Sequence, residues 1–382
     1  MTTTRADDHY MQRALQLAEG GLYTTTPNPR VGCVLVGHHG DTLGEGFHLR
    51  AGQGHAEVNA LAAAGAKARG ATAYVTLEPC NHHGRTGPCS QALIDAGIST
   101  VVYGMQDPNP QVAGQGLQRL RDAGLTVRGP VCEEQARALN PGFIKRMLTG
   151  RPYVRCKLAM SLDGRTAMAS GESQWITGSQ AREDVQKLRA RSCSIITGAA
   201  TVLADDPALT VRSPALGENP RQPLRVIVDS QLHTPVSAKI LSPPEQTVLA
   251  SCKDQPHHAE AAVWSLPSGD KRSVDLRALL EKLGREQHNE VLIEAGPRLA
   301  GSFLQAGLID EIVLYMAGKL MGSAGKPLFE LPIAQMCDNI DLQITEVTPI
   351  GQDWRISAHP LNALDPLHIQ QSYQPLQQQQ PE

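Results

Sequence analysis

The stretch His55-Ala56-Glu57, answered downstream by Pro79-Cys80 and then Cys89, constrains this chain more than any other. Imidazole and thiolate are good zinc donors, and a catalytic zinc takes three protein ligands and leaves its fourth position to water. One His and two Cys complete such a set and leave Glu57 free to move protons. Residues two apart do not face each other inside a helix, so His55 and Glu57 converge only where the pair opens one. The flanks agree: Gly52 and Gly54 break structure just before, 58–64 is a run of helix formers, and Gly65 stands where a left-handed cap is expected. The second arm follows a short apolar run at 73–77, expected as a buried strand. Pro79 suits a first helical turn, which predicts Cys80 at a positive helix end that favours its thiolate.

A His-x-Glu followed by Pro-Cys is the first part of the zinc-deaminase signature, which continues Cys-x-x-Cys. Here the cysteines are nine positions apart, so the third ligand is either Cys89 on a longer loop or one of His82 and His83. The other cysteines, Cys33, Cys132, Cys156, Cys193, Cys252 and Cys337, read as buried apolar residues. A structural zinc is the competing reading, but such sites are usually closed by a fourth protein ligand and make no use of Glu57.

With 382 residues the chain exceeds one ordinary core, which predicts two domains. Its 41% hydrophobic and 19% charged residues are those of a soluble globular protein, and a net charge of −3 offers no footprint for nucleic acid. The start lacks the apolar core of a signal peptide and no run is long enough to span a bilayer, so no membrane partner is expected. Eight cysteines, two of them on metal, argue for a reducing cytoplasm.

Helices and strands alternate. Met11, Ala14, Leu15 and Ala18 form a helical stripe after Asp7-Asp8, which serve as cap and dipole partner. Strands are expected at 31–36, 73–77, 100–103 and 125–127, with helices at 58–64, 90–96 and 117–123. Asn140-Pro141-Gly142 and Thr149-Gly150-Arg151-Pro152 punctuate the chain. Beyond them strands are expected at 154–161, 194–197, 225–228, 247–250 and 290–294, an α/β pattern in both halves. The domains are placed at 1–148 and 152–365, and the Gln-rich 366–382 is too poor in apolar groups to fold and is expected as a disordered tail. The stretch 290–302 reads as a strand delivering a Gly turn into a helix start, where backbone N–H groups can hold a phosphate. It is neither a Walker loop nor a Rossmann fingerprint.

Together, Thr26-Pro27-Asn28-Pro29, Gly46-Phe47-His48, His55-Ala56-Glu57 and the loop from Glu78-Pro79-Cys80 to Pro88-Cys89 resemble the riboflavin-pathway pyrimidine deaminases, whose pattern has this long loop. That resemblance implies His55, Cys80 and Cys89 as ligands and Glu57 as catalyst. The run from Lys157 to Ala167, Gly171-Glu-Ser173-Gln-Trp175-Ile-Thr177, Asp205-Asp206-Pro207 with Leu209 and Arg212, and the stretch from Glu294 to Ser302 resemble the reductase domain of the same pathway. About residues 5 to 360 are thus similar to the bifunctional deaminase/reductase family of riboflavin biosynthesis.

The resemblance implies a cytidine-deaminase-like three-layer domain followed by a dihydrofolate-reductase-like domain, with Zn2+ and NADPH as cofactors. It implies hydrolytic deamination of a phosphorylated diaminopyrimidine ribotide, then reduction of its ribose. Cofactor contacts are implied for Ala159, Trp175, Thr201, Asp205, Ser230, Gly296, Pro297, Arg298, Leu299, Ala300, Gly301 and Ser302. Substrate contacts are implied for Ser173, Arg189, Leu209, Arg212 and Glu294. The two arginines are apt, since guanidinium forks grip a sugar phosphate well. Arg189 in a Leu188-Arg-Ala-Arg191 helix face is otherwise a solvated charge, and Leu209 otherwise core. Homo-oligomerisation is left open by the sequence. A nucleic-acid base deaminase with an accessory domain shares His-x-Glu and zinc, but the missing basic stripe and the whole second half weigh against it. A pseudoenzyme half is disfavoured because neither half has lost its motif residues.

Overall fold

The computed structural model describes residues 4–81, 87–110, 113–257 and 260–361. The alternative ligands His82 and His83 and the expected tail at 366–382 lie outside the described residues. Two compact units follow one another, the first reaching Gly150 and the second beginning at Arg151.

The first unit opens with α1 (Arg5–Glu19), capped by Thr4 rather than by the two aspartates: the Thr4 side chain accepts from the Asp7 N–H and the Asp7 carboxylate accepts from the Thr4 N–H. This capping box satisfies two orphan donors at once. Then come β1 (Gly32–Val36), β2 (Thr42–Phe47), α2 (Ala56–Ala64), β3 (Thr72–Leu77), α3 (Cys89–Asp95), β4 (Thr100–Met105), α4 (Gln115–Asp122), β5 (Thr126–Arg128), α5 (Glu133–Leu139) and α6 (Pro141–Thr149). The strands form one sheet in the order β2-β1-β3-β4-β5. β1 is antiparallel to both neighbours, and β3, β4 and β5 run parallel.

Side chains alternate across a strand, and both faces are apolar here. Cys33, Leu35, Ala73, Val75 and Val101 pack with Ala56, Ala60 and Ala64 of α2 and Leu93 of α3. Val34, Val36, Tyr74 and Val102 pack instead with Met11 and Ala14 of α1. Helices on both faces of one sheet make the expected three layers. A Cβ at Gly44 would lie 2.4 Å from the Ala60 carbonyl oxygen and one at Gly46 2.5 Å from that of Ala56. Only glycines let α2 lie directly on β2, which fixes where α2 begins.

The second unit contains β6 (Tyr153–Ser161), β7 (Arg165–Ala167), α7 (Ser179–Arg191), β8 (Ser194–Gly198), α8 (Ala199–Asp205), β9 (Leu224–Val228), β10 (Thr247–Ser251), β11 (Ala262–Ser265), α9 (Leu276–Arg285), β12 (Glu290–Ile293), α10 (Pro297–Gln305), β13 (Glu311–Ala317), β14 (Lys326–Pro327), β15 (Leu342–Ile350) and β16 (Asp353–Pro360). Nine of these strands form a sheet in the order β11-β10-β9-β8-β12-β6-β13-β16-β15. It is parallel from β11 to β13 and closes with the antiparallel hairpin of β16 and β15. Val154, Ile196, Val226 and Ile293 face α9 and α10, and Ile195, Ile227, Leu292 and Tyr315 face α7. Strands covered on both faces read as unbroken apolar runs, which is why the central ones were legible. β15 is one of the sheet's two outer strands and leaves Ile344 61% and Val347 53% exposed. The loops after β8, β9 and β12 leave the same C-terminal edge, where open α/β sheets hold their ligands.

Candidate functional site

His55 is the N-cap of α2 and Glu57 lies in its first turn, so both project from the helix start that the glycines of β2 fix. Gly65 ends the helix with a positive φ of 56°, but its ψ of −138° lies outside the left-handed α region expected of it, and the chain continues there into a 3-10 turn over Gly65–Ala68. His55 Nδ1 lies 3.6 Å from Cys80 Sγ and 3.3 Å from Cys89 Sγ. The three donor atoms all fall within 4.8 Å of one another. Cys80 does not open a helix, contrary to expectation; Pro79 and Cys80 lie outside regular structure and Cys89 opens α3. The favourable helix end still reaches Cys80, because the Cys89 N–H donates to its Sγ at 3.4 Å.

The electrostatics suit a soft cation. A hydrogen bond from Cys89 holds the Cys80 thiol down at about 4, while Cys89 itself is pushed up by the same contact. A divalent cation takes the place of the proton that such a pair shares, and thiolate and neutral imidazole are the forms it requires. Burial and the neighbouring Cys80 charge raise Glu57 to about 7. His55, Cys80 and Cys89 therefore offer one open N/S2 donor set with a carboxyl group beside it. Of the six other cysteines, Cys33, Cys156 and Cys193 are buried and Cys132 and Cys252 half-buried. Cys337 is exposed, a correction to its expected burial, because Gln335 and Asp338 flank it on a polar turn.

In the second unit the expected residues gather on the C-terminal edge of the sheet. Thr201 in the first turn of α8 accepts the Gly296 N–H on its Oγ1 at 3.3 Å, joining the two helix starts. Gly296 caps α10 and Pro297 fills its first position. Asp205 ends α8 and accepts from the Ser173 hydroxyl at 3.4 Å. Ser230 follows β9, Ala159 lies in β6, and Trp175 is 61% exposed with the Arg182 guanidinium 4.5 Å over its ring. Arg298 and Ser302 are exposed and Leu299 half-buried, whereas Ala300 and Gly301 face inward. A Cβ at Gly301 would stand 2.2 Å from the Glu330 carbonyl oxygen.

Arg189 is no solvated charge. It is buried and grips Glu294 with two parallel hydrogen bonds of 2.6 and 3.0 Å, while its Nη1 donates to the Thr210 carbonyl. Leu209 packs in the core with Val185 and Leu188 and has a left-handed φ of 48°, a conformation that costs a Leu on the order of 1–3 kcal/mol. Arg212 is exposed.

Residues 4–105 match the family described as the cytidine and deoxycytidylate deaminase zinc-binding region, and residues 152–356 match the RibD C-terminal domain. The chain is 52% identical over 358 residues to the riboflavin biosynthesis protein RibD of Escherichia coli K12, covering 91% of this chain and 97% of that one. The chain belongs to the RibD family. RibD of Acinetobacter baumannii, a solved structure, is 46% identical with a TM-score of 0.87, covering 93% of this chain and 99% of that one. The deaminase/reductase of Thermotoga maritima, also solved, is 31% identical with a TM-score of 0.84 over the same shares. This chain is a bifunctional enzyme of riboflavin biosynthesis, a deaminase in its first half and a reductase in its second.

One residue of the RibD reductase edge was quoted in a sequence motif and given no role: Lys157 on β6, whose Nζ lies 3.8 Å from Glu294 Oε2. The signal for it was a lysine within a largely apolar strand, since such a charge persists there only beside a partner. On the deaminase side, Asn59 of α2 donates to the carbonyls of Phe47 and Gly54 at 2.8 and 3.3 Å and so ties down the loop that carries His48. Among the described residues no helix is long and apolar enough to cross a membrane.

Proposed function

We propose that this chain performs two successive steps on one phosphorylated pyrimidine ribotide. The first is hydrolytic deamination of 2,5-diamino-6-(5-phosphoribosylamino)pyrimidin-4(3H)-one at its 2-amino group. The second is NADPH reduction of the ribose of the resulting 5-amino-6-(5-phosphoribosylamino)uracil to a ribityl chain. His55 Nδ1, Cys80 Sγ and Cys89 Sγ are assigned as the zinc ligands, a donor set this borderline-soft ion favours. Bound zinc supplies Lewis acidity and a water of lowered pKa. Glu57 would relay the two protons of the attacking water in turn, the first to the ring nitrogen and the second to the amino group, which leaves as ammonia while the ring carbon keeps the oxygen; a pKa raised to about 7 fits that role.

NADPH brings the hydride, so the chain's own task in the second step is positioning. Ala159, Trp175, Thr201, Asp205, Ser230 and the turn from Gly296 to Ser302 are assigned to the cofactor, and Ser173, Arg189, Leu209, Arg212 and Glu294 to the substrate. Within that set the exposed Arg212 is the natural phosphate clamp, and Arg189 orients Glu294 through its two hydrogen bonds. The deaminase domain is placed at 1–148 and the reductase at 152–365, in a cytoplasmic enzyme without nucleic-acid or membrane partners. A homo-oligomer is compatible with this reading.

Three soft donors clustered beside a buried carboxyl group, in a chain whose second half is a RibD reductase unit, support the reading most strongly. The purified protein should release ammonia from the diaminopyrimidine ribotide without NADPH and oxidise NADPH once the aminouracil ribotide has formed or is supplied. Removing zinc should abolish the first step and spare the second. Ammonia release from a zinc-free protein, or NADPH oxidation on the diamino substrate before any ammonia appears, would overturn it.

A further inference from the structure

Glu78 follows β3 and precedes Cys80 by two residues, and it is only 4% exposed. Its carboxylate is met among the described residues by main-chain N–H groups rather than by a cation. Oε1 accepts from Gly116 at 2.9 Å and Leu117 at 3.3 Å; Oε2 accepts from Gly114 at 2.9 Å and Asp107 at 3.1 Å. The N-cap of α4 is Gly114, which has no side chain with which to satisfy the first turn. Glu78 supplies that missing acceptor from a distant strand, and the helix dipole favours its negative charge there. A Cβ at Gly116 would fall 2.0 Å from the Pro79 carbonyl oxygen, so the main chain leading to Cys80 is pressed onto the same first turn.

Downstream, the Ser90 N–H donates to the Cys80 carbonyl at 3.1 Å and the Cys89 N–H to the Cys80 sulfur. Upstream, Glu78 is the only side chain of the Glu78–Pro79 pair able to anchor, and from the end of β3 its carboxylate binds two other segments at once: the loop after β4 and the start of α4. We propose that Glu78 is a positioning residue of the deaminase centre, its carboxylate seated on the start of α4 to set the place of the Cys80 sulfur relative to His55 Nδ1 and Cys89 Sγ. The proposal rests on the ligand assignment made above.

Glu78→Gln keeps the shape but turns an amide N–H2 toward main-chain donors. Outer groups that orient metal ligands typically matter about 10- to 100-fold in metal affinity or activity. The full-length variant should therefore release zinc to a competing chelator at an affinity lowered by about that factor. Its cobalt(II)-substituted form should show altered d–d and thiolate-to-cobalt charge-transfer bands. Deamination kcat should fall with little change in KM, while reduction of supplied aminouracil ribotide stays at the wild-type rate. Glu78→Asp, which keeps the charge but falls short of some of the donors, should lie between, and it carries the test if Glu78→Gln does not fold. A variant that merely melts at a lower temperature, with wild-type cobalt spectrum and zinc affinity, would overturn the proposal. Failure of the ligand assignment would look different: Cys80→Ser would then retain wild-type zinc affinity.

Discussion

Replacing Glu294 by Ala should be among the most damaging single changes in the second unit. Glu294 is buried and faces Arg189 through hydrogen bonds of 2.6 and 3.0 Å and Lys157 at 3.8 Å. Burial alone would raise its pKa; Arg189 and Lys157 overcome that and hold it below the usual carboxylate range. Removing the carboxylate leaves two cations inside the unit with no counter-charge, and breaking one side of a buried pair costs roughly 3–5 kcal/mol. Lys157 offers partial relief by shedding its proton, since burial already lowers its pKa, which places the expectation at the lower end of that range. For a domain of about 200 residues each kcal/mol moves Tm by about 2–4 °C, so a fall of roughly 6–12 °C is expected. Calorimetry on the full chain, with urea unfolding of the same protein, reads this directly. The double variant Glu294→Leu/Arg189→Met should recover much of the loss, because two apolar groups replace two charges. A single-variant loss below about 1 kcal/mol, or a double variant no better than the single one, would refute the reasoning and return Arg189 to the role of a solvated, substrate-facing charge.

Glu57→Gln should bind zinc at wild-type stoichiometry and deaminate about 10²–10⁴-fold more slowly; turnover within tenfold of wild type would remove Glu57 from the proton path. Arg212→Ala should spare ammonia release and raise the reductase KM about ten- to a hundredfold, the worth of one charge-assisted phosphate contact; an unchanged KM would locate the phosphate elsewhere. Asp7 gives a pH test. Burial pushes its pKa up, but the Thr4 hydrogen bonds, the Tyr74 hydroxyl at 3.0 Å and the Arg128 guanidinium at 3.0 Å prevail and hold it below the ordinary value. A depressed folded pKa adds stability above the unfolded value of about 3.9, and that stability is lost as pH falls through the folded pKa. Urea midpoints measured from pH 6 to pH 3 should therefore fall more steeply for the wild type than for Asp7→Asn, and equal slopes would exclude Asp7 as a source of acid sensitivity.

How much of this was legible in the sequence depended on whether the physics was local. The start of α2 was legible because Gly52, Gly54, the Ala-rich run and Gly65 each state a backbone preference. The buried strands β1, β3, β8, β9, β10 and β12 were legible because double coverage selects apolar runs such as Val34-Leu35-Val36, Val226-Ile227-Val228 and Val291-Leu292-Ile293, even with Arg225 and Glu290 buried beside them. β2 was not anticipated: its glycines argue against a strand, and they are there because α2 needs the space above them. Cys80 was misplaced onto a helix for a similar reason. Pro79 suits a helix start, but the Pro79 carbonyl lies against Gly116 of α4, a contact between residues far apart in the chain. Residue type and spacing pointed to His55 and Cys80 but left Cys89 open against His82 and His83, and the family resemblance chose Cys89; the partnership of Arg189, Glu294 and Lys157 required β6, β12 and α7 to be in place first.

The rim of the large sheet has a consequence for how this chain behaves in a crowded solution. Among the described residues β15 pairs with β16 on one side alone, and its Ile344 and Val347 are open to solvent. A row of free peptide groups lined with branched apolar side chains is a template on which another extended chain can assemble. Two details spoil that template: the register with β16 slips between Ile344 and Glu346, bending the strand, and Pro349 offers no N–H to donate. Straightening the slip by deleting Thr345, or replacing Pro349 by Val, would lengthen the uninterrupted edge and turn a tolerated rim into a seed for fibrillar association.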